Sequence, residues 1–370
     1  MKPPFRAEHI GSLLRPPALL RAREGHVAGK IDSTQLADVE KDGIRDVVKM
    51  QEDVGLQVVT DGEFRRSTYS DSFTSSGISG VSIRMTEQQG WSKSDTHGHR
   101  TARRIPAVID RIAWRGPQNA ADFRYLRSLT TRTPKITLPG PCYIHYRAGR
   151  ANISHDVYRD LDNFWSDLVQ AYAREVQSLA DAGCTYLQLD ETSLVKLGDP
   201  RARELLKQRG DDWRDLLKTY IGVVNAIMAA APHGMTIGIH ICRSQDPSWQ
   251  ANVGYDPIAE AVFNDMNVGT YFLEYDNARA GGFEPLRAVP AGKTIVLGLV
   301  ASKLNELESA DLLKRRIEEA SRYVRLEQLA LSPQCGFSTS ASENIGVTAD
   351  MQRAKLARIV EVARAVWGQG

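Results

Sequence analysis

The strongest constraint in this chain is a rhythm. Short β-branched or apolar runs alternate with amphipathic stretches of helical period along most of its length. Eight runs stand out: His9 to Leu14, Gln57 to Glu63, Lys135 to Pro141, Thr185 to Glu191, Met235 to Cys242, Thr270 to Tyr275, Thr294 to Val300 and Gln328 to Gly336. Between them the pattern predicts helices over Ser33 to Val54, Val157 to Ala182, Trp213 to Ala230, Pro257 to Asn264, Ser309 to Tyr323 and Ala349 to Val366. Gly55 and Gly183 fall where helix C-caps belong, directly before the next run. Alternating strand and helix imply a parallel sheet covered by helices. Eight strands in 370 residues favour a closed (β/α)8 TIM barrel over an open, Rossmann-type sheet, and no Gly-x-Gly-x-x-Gly follows the first run to support a dinucleotide site.

One connection breaks the rhythm. Residues 64–134, between the second and third runs, are far too many for a loop and a helix. Alternating stretches at Ile78 to Met85 and Ile105 to Trp114 predict an inserted hairpin or extended arm rather than a second domain. Residues 1–370 therefore read as one barrel, and the arm is expected to lie over its mouth as a lid or to form the contact of a homodimer.

Charge narrows the partners. Lys and Arg number 47 against 45 Asp and Glu, a net charge of +2, which offers no electrostatic footprint for nucleic acid or an anionic membrane. A small-molecule partner is expected. Charged residues run through the first thirty positions, so no secretory signal is expected, and the uncharged run Thr219 to Cys242 is broken by Asn225, Pro232, His233 and Gly234. A cytoplasmic location follows. Four scattered cysteines at 142, 184, 242 and 335 resemble no disulfide framework, so any special cysteine is expected to be a ligand or a nucleophile.

Barrel chemistry collects at the C-terminal ends of the strands. His240 and Cys242 lie two apart on one run and share a face, while Ile239 and Ile241 take the other. Glu274 ends the sixth run and Cys335 the eighth. One imidazole, two thiolates and one carboxylate suit a zinc ion. A lone His-x-Cys more often fills a barrel, but four candidate ligands at three strand ends outweigh that reading. Glu63, Asp190 and Glu191 are carboxylates at other strand ends; alone, each could pair with an arginine such as Arg65 or Arg66 or cap a helix. With Ser12 they could hold the ammonium and carboxylate of an amino acid. Cys184, at the opposite end of its strand, is expected to be a buried filler, and Cys142 to line the mouth.

With these motifs in view, the chain resembles the cobalamin-independent methionine synthase family, in the short form that matches only the C-terminal catalytic half. The resemblance runs through His9-Ile10-Gly11-Ser12, Thr60-Asp61-Gly62-Glu63-Phe64-Arg65-Arg66, Leu189-Asp190-Glu191, His240-Ile241-Cys242-Arg243, Phe272-Leu273-Glu274-Tyr275 and Ser332-Pro333-Gln334-Cys335-Gly336. It implies zinc held by His240, Cys242, Glu274 and Cys335, and homocysteine held by Ser12, Glu63 and Asp190. The implied reaction moves a methyl group to the homocysteine thiol, with Glu274 yielding as substrate sulfur arrives and Asp190 acting beside it. Departures leave the donor open between methyltetrahydrofolate and another small methyl donor. Gly298 to Lys303 lacks the histidine of the full-length enzyme, Pro141 to Arg147 offers Tyr143, His145 and Tyr146 but no tryptophan, and Ser244-Gln245 replaces the usual Gly-Asn. The alternatives are zinc-dependent alkyl transfer to another thiol, as in epoxyalkane:coenzyme M transferases, and a barrel that binds zinc or thiol without catalysis.

Overall fold

The computed structural model describes residues 3–86, 93–94, 100–101, 103–243, 251–338 and 346–368. Its strands are β1 (Val58–Val59), β2 (Val81–Thr86), β3 (Lys93–Ser94), β4 (Arg100–Thr101), β5 (Arg103–Val108), β6 (Thr133–Pro134), β7 (Ile136–Pro139), β8 (Tyr186–Glu191), β9 (Thr236–Ile241), β10 (Thr270–Glu274), β11 (Thr294–Val300) and β12 (Leu329–Pro333). The α-helices are α1 (Pro17–Val27), α2 (Ser33–Asp53), α3 (Ala120–Ser128), α4 (Tyr143–Ala148), α5 (Leu161–Asp181), α6 (Pro200–Gln208), α7 (Trp213–Ala229), α8 (Ala310–Ser321) and α9 (Ala349–Trp367).

Strands β7 to β12 form one parallel sheet in chain order, as eight short strands alternating with helices demand. At one edge Ala7 bridges Leu331 of β12, with Glu8 N–H donating to the Leu331 carbonyl at 2.9 Å. At the other, β6 runs directly into β7 and pairs with β1. Leu13 N–H then donates to the Gly62 carbonyl at 3.1 Å, joining the first segment to the second. The fold is a TIM barrel. A small cluster of Phe5, Ile10, Val58, Tyr186, Phe272, Val296 and Ala330 is separate from the main core, which the strands share with the helices. Alternation explains the split: Ile237, Ile239 and Ile241 belong to the main core, and Gly238 on the other face leaves room for the Phe272 ring, which a Cβ would meet at 2.8 Å.

Most helices start where a short polar side chain supplies the missing acceptor. Asp32 forms a reciprocal capping box with Gln35, and Asp160, Asp199, Asp212, Ser309 and Thr348 each accept a backbone N–H from the first turn. Three expectations need correcting. His9 to Leu14 forms no strand ladder; pairing occurs at Ala7, and Gly11 at φ 143° breaks the extended chain. The expected helix Pro257 to Asn264 is reduced to a π-helical turn over Ala261–Asp265. Helices α1, α3, α4 and α6 were not expected; each is short, and α1 buries only Leu19, which leaves little periodicity to read. The arm contains an antiparallel hairpin of β2 and β5, from Val81 opposite Val108 to Thr86 opposite Arg103. Val108 also bridges Ile153, which ties the hairpin to the connection between β7 and α5.

Candidate metal centre

His240 lies near the end of β9 and Cys242 just beyond it; Glu274 ends β10, and Cys335 follows β12 by two residues. All four are buried, and one ligand atom from each falls within 4.8 Å of every other. The Cys242 and Cys335 sulfurs are 3.8 Å apart, and His240 Nε2 is 3.9 Å from Glu274 Oε1. A tetrahedron with Zn–S bonds of about 2.3 Å has an edge of about 3.8 Å, so the donor set fits zinc in chemistry and in span. His240 Nδ1 hydrogen-bonds Asp190 Oδ1 at 3.2 Å, whereas Nε2 has no hydrogen-bond partner among the described residues. The carboxylate of Glu274 is steadied by the Arg243 N–H at 3.0 Å, and its backbone N–H donates to the Tyr255 hydroxyl at 2.8 Å.

The electrostatics of the cluster suit a cation. Burial, and then the charge of Cys242, push the Glu274 carboxyl well above its ordinary range. Burial opposes charge on His240, but the hydrogen bond to Asp190 and the negative charges of Cys242, Asp190 and Glu274 outweigh it and raise the imidazole to about 9. Anionic donors crowded in a dry pocket favour a bound divalent ion.

The expected amino-acid residues surround this cluster unevenly. Asp190 touches His240 directly. Glu63 sits on a turn after β1, where Gly62 and Glu63 adopt φ 68° and 61° in succession. Its Oε1 accepts from Thr137 Oγ1 at 2.8 Å and lies 3.5 Å from Arg66 Nη1. Burial raises its carboxyl above the ordinary value, partly offset by Arg66. Ser12 packs against the turn after Cys335: Phe337 N–H donates to the Ser12 carbonyl at 3.0 Å, and a Cβ on Gly336 would lie 1.9 Å from Ser12 Oγ. Glu191 is not brought to this group. Adjacent strand residues face opposite ways, and its carboxylate accepts from the Ser193 N–H at 2.9 Å, the Ser193 hydroxyl and the Cys142 N–H at 3.3 Å.

Comparison with known proteins settles the family. Residues 5–365 match the family described as "Cobalamin-independent synthase, Catalytic domain". The chain belongs to that family. It is 40% identical over 370 residues to the Bacillus subtilis (strain 168) uncharacterized protein YxjG, covering 99% of this chain and 96% of the relative. A Pyrococcus abyssi methionine synthase is 26% identical, with 89% and 85% covered. A structure from Listeria monocytogenes, described as "Putative Vitamin-B12 Independent Methionine Synthase", superposes with TM-score 0.78 at 33% identity over all of both chains. A second, from Shewanella sp. W3-18-1 at 18% identity and TM-score 0.73 over 98% of both chains, shares the fold.

The segment after β7 is closely packed. His145 is enclosed by Phe164, Trp165 and Tyr220, with Nδ1 2.9 Å from the Tyr220 hydroxyl, and burial lowers it to about 4. Tyr146 is fully buried, and Tyr143, buried at 9% exposure, keeps the most surface of the three, edge-on to Tyr69 at 5.7 Å between centroids. Cys142 does not line the mouth; it is fully buried at the start of α4. Cys184 is buried as expected. At the end of the histidine-free stretch Gly298 to Lys303, Lys303 donates to the Gly336 carbonyl at 2.9 Å and the Phe337 carbonyl at 2.6 Å. Ser244-Gln245 lies outside the described residues. Sequence reasoning missed Lys135, Thr137 and Gln188, polar residues in or beside strand interiors where apolar ones are the rule.

Proposed function

We propose that this chain is a zinc-dependent methyltransferase that transfers a methyl group to the thiol of homocysteine, giving methionine. The observation that carries the reading is the buried His240, Cys242, Glu274 and Cys335 cluster, with donor atoms within 4.8 Å, in a chain of this family. Zinc, when bound, supplies the Lewis acidity that keeps a coordinating thiol deprotonated at neutral pH and still nucleophilic. His240 would offer Nε2, because Nδ1 is engaged by Asp190. Cys242 and Cys335 would provide the sulfur donors and Glu274 the oxygen donor. Glu63 is a buried carboxylate on a strained turn and suits the substrate ammonium. Asp190 would serve both His240 and the substrate, one oxygen for each, and Ser12, packed on the Cys335 turn, would meet the substrate carboxylate.

The donor is methyltetrahydrofolate or another small methyl donor. Support for a donor unlike that of the full-length enzyme comes from the fully buried His145 and from the stretch Gly298 to Lys303, which has no histidine. Metal analysis should find about one zinc per chain, lost on His240→Ala or Cys335→Ala. A metal-free protein with undiminished methyl transfer would overturn the reading. A screen with homocysteine against methyltetrahydrofolate, its polyglutamate, S-methylmethionine, methylcobalamin and methoxylated aromatics identifies the donor, and methionine formation from none of them would refute the enzymatic assignment.

A further inference from the structure

A lysine lies inside the barrel with no exposed surface, and the chemistry above does not use it. Lys135 Nζ donates to Glu8 Oε2 at 3.3 Å, to the His9 carbonyl and to Gln188 Oε1 at 2.9 Å. Glu8 is pinned in turn by the Tyr186 hydroxyl and the Phe5 N–H, each at 2.9 Å. The ring of Phe272 lies 4.6 Å from the ammonium. A buried ion pair is a poor way to stabilise a barrel, because well-packed apolar residues of similar volume usually do as well or better. Its place in a hydrogen-bond chain gives it another use.

The direction of each bond in that chain is fixed by its lower end. An ammonium has only donors, so the group facing Lys135 must be the amide oxygen of Gln188. The amide nitrogen is then turned the other way, 2.6 Å from the Ile10 carbonyl and 2.7 Å from Asp190 Oδ1, both acceptors. A flipped amide would set N–H against N–H at one end and oxygen against oxygen at the other. Asp190 Oδ1 therefore receives Gln188 and is held in line with His240 Nδ1, 3.2 Å away. A carboxylate accepts, so Nδ1 must carry a proton, and in the neutral ring that a metal would need, Nε2 keeps its lone pair facing Cys242, Glu274 and Cys335. We propose that Lys135 and Gln188 are positioning residues that set the tautomer and orientation of His240 through Asp190. The proposal rests on reading the four-residue cluster as a metal site.

The test is a double-mutant cycle on zinc affinity, measured by competition with a chromophoric chelator on purified full-length protein. Asp190→Asn should weaken zinc binding by about 10- to 100-fold, the usual cost of losing the partner of a ligating histidine. Gln188→Met should lose part of that, at least about threefold, and the double variant should bind no more weakly than Asp190→Asn alone, because both act on one hydrogen bond. Losses that multiply, or a Gln188→Met protein within about twofold of the parent, would overturn the proposal; a packing role predicts one or the other. Gln188→Leu likewise has no N–H to give Asp190 and replaces Gln188→Met if that variant does not fold. Should the parent protein bind no zinc, the metal-site reading fails first. NMR of the metal-free protein then decides the relay: a slowly exchanging His240 Nδ1 proton is expected in the parent and rapid exchange in the Gln188 variant, and equal exchange in both would refute it.

Discussion

Gly298 offers a test of how the barrel holds its candidate ligands. It pairs with Glu274 of β10 and with Ser332 of β12, between the strands that carry Glu274 and lead to Cys335. A Cβ added there would sit 2.7 Å from both the Gln334 Cα and the Leu273 carbonyl oxygen, and 3.2 Å from the Pro333 carbonyl oxygen. All three are backbone atoms, so no side chain can swing aside. Ordinary contact requires 3.4 Å, which means that Gly298→Ala must force a separation of about 0.7 Å beside two ligands. Metal–ligand distances tolerate about 0.2 Å. Overpacking of this kind costs about 1–3 kcal/mol of stability. Zinc affinity should also fall at least about tenfold, roughly 1.4 kcal/mol. Chelator competition and denaturant unfolding of the same preparation read the two effects. Unchanged zinc affinity in a folded Gly298→Ala protein would refute the claim that this backbone contact sets the spacing of Glu274 and Cys335.

Other outcomes follow from single sites. Gly222 lies within α7 with nothing inside 4 Å of its Cβ position, so Gly222→Ala should stabilise the protein by roughly 0.5–1 kcal/mol in denaturant unfolding and leave zinc binding unchanged. Burial lowers His145 to about 4 from 6.5, so between these values the unfolded chain binds the extra proton. That contribution is complete above pH 6.5 and is lost as pH falls toward 4, an effect of about 3 kcal/mol at most. His145→Gln should flatten the stability profile over this window, and an unaltered slope would show that another group controls it.

Part of the candidate centre was legible because two of its four residues obey the two-residue period. His240 and Cys242 declare a shared face, and Glu274 and Cys335 stand next to the last residue of the sixth and eighth runs. The relay beneath them was not legible. Lys135 and Glu8 are 127 residues apart and Lys135 and Gln188 are 53 apart, and only closure of the barrel shows that their polar atoms satisfy one another. Glu191 illustrates the opposite failure. It stands beside Asp190 in sequence, yet alternation sends it to the other face, where three donors from Ser193 and Cys142 occupy it. The first strand was misjudged for a backbone reason: apolar residues continue through Leu14, but Gly11 leaves the β region and Ala7 takes the pairing.

Glu63 is where stability and the proposed function should pull apart. Among the described residues it is the only non-glycine at positive φ, a conformation that costs on the order of 1 kcal/mol or more. Its carboxyl is raised above the ordinary value because burial outweighs the help from Arg66 and Thr137. A raised acid contributes stability fully below its unfolded value and loses it as pH rises through the folded value, so at neutral pH the charged side chain is a burden. Arg66 does not depend on it, because Nη1 also reaches Thr137 Oγ1 at 2.7 Å and Nη2 the Thr137 carbonyl at 2.5 Å. Glu63→Gln keeps the shape and removes the charge. The substrate-free protein should therefore be as stable as the parent or more so at pH 8, with a gain that shrinks toward pH 4.5. Homocysteine binding, measured calorimetrically on the zinc-loaded protein, should weaken at least tenfold, because a buried carboxylate facing an ammonium is worth roughly 1.5–3 kcal/mol. Zinc content should not change. A variant that loses stability at pH 8 while keeping its affinity for homocysteine would assign Glu63 to the scaffold and remove it from the substrate site.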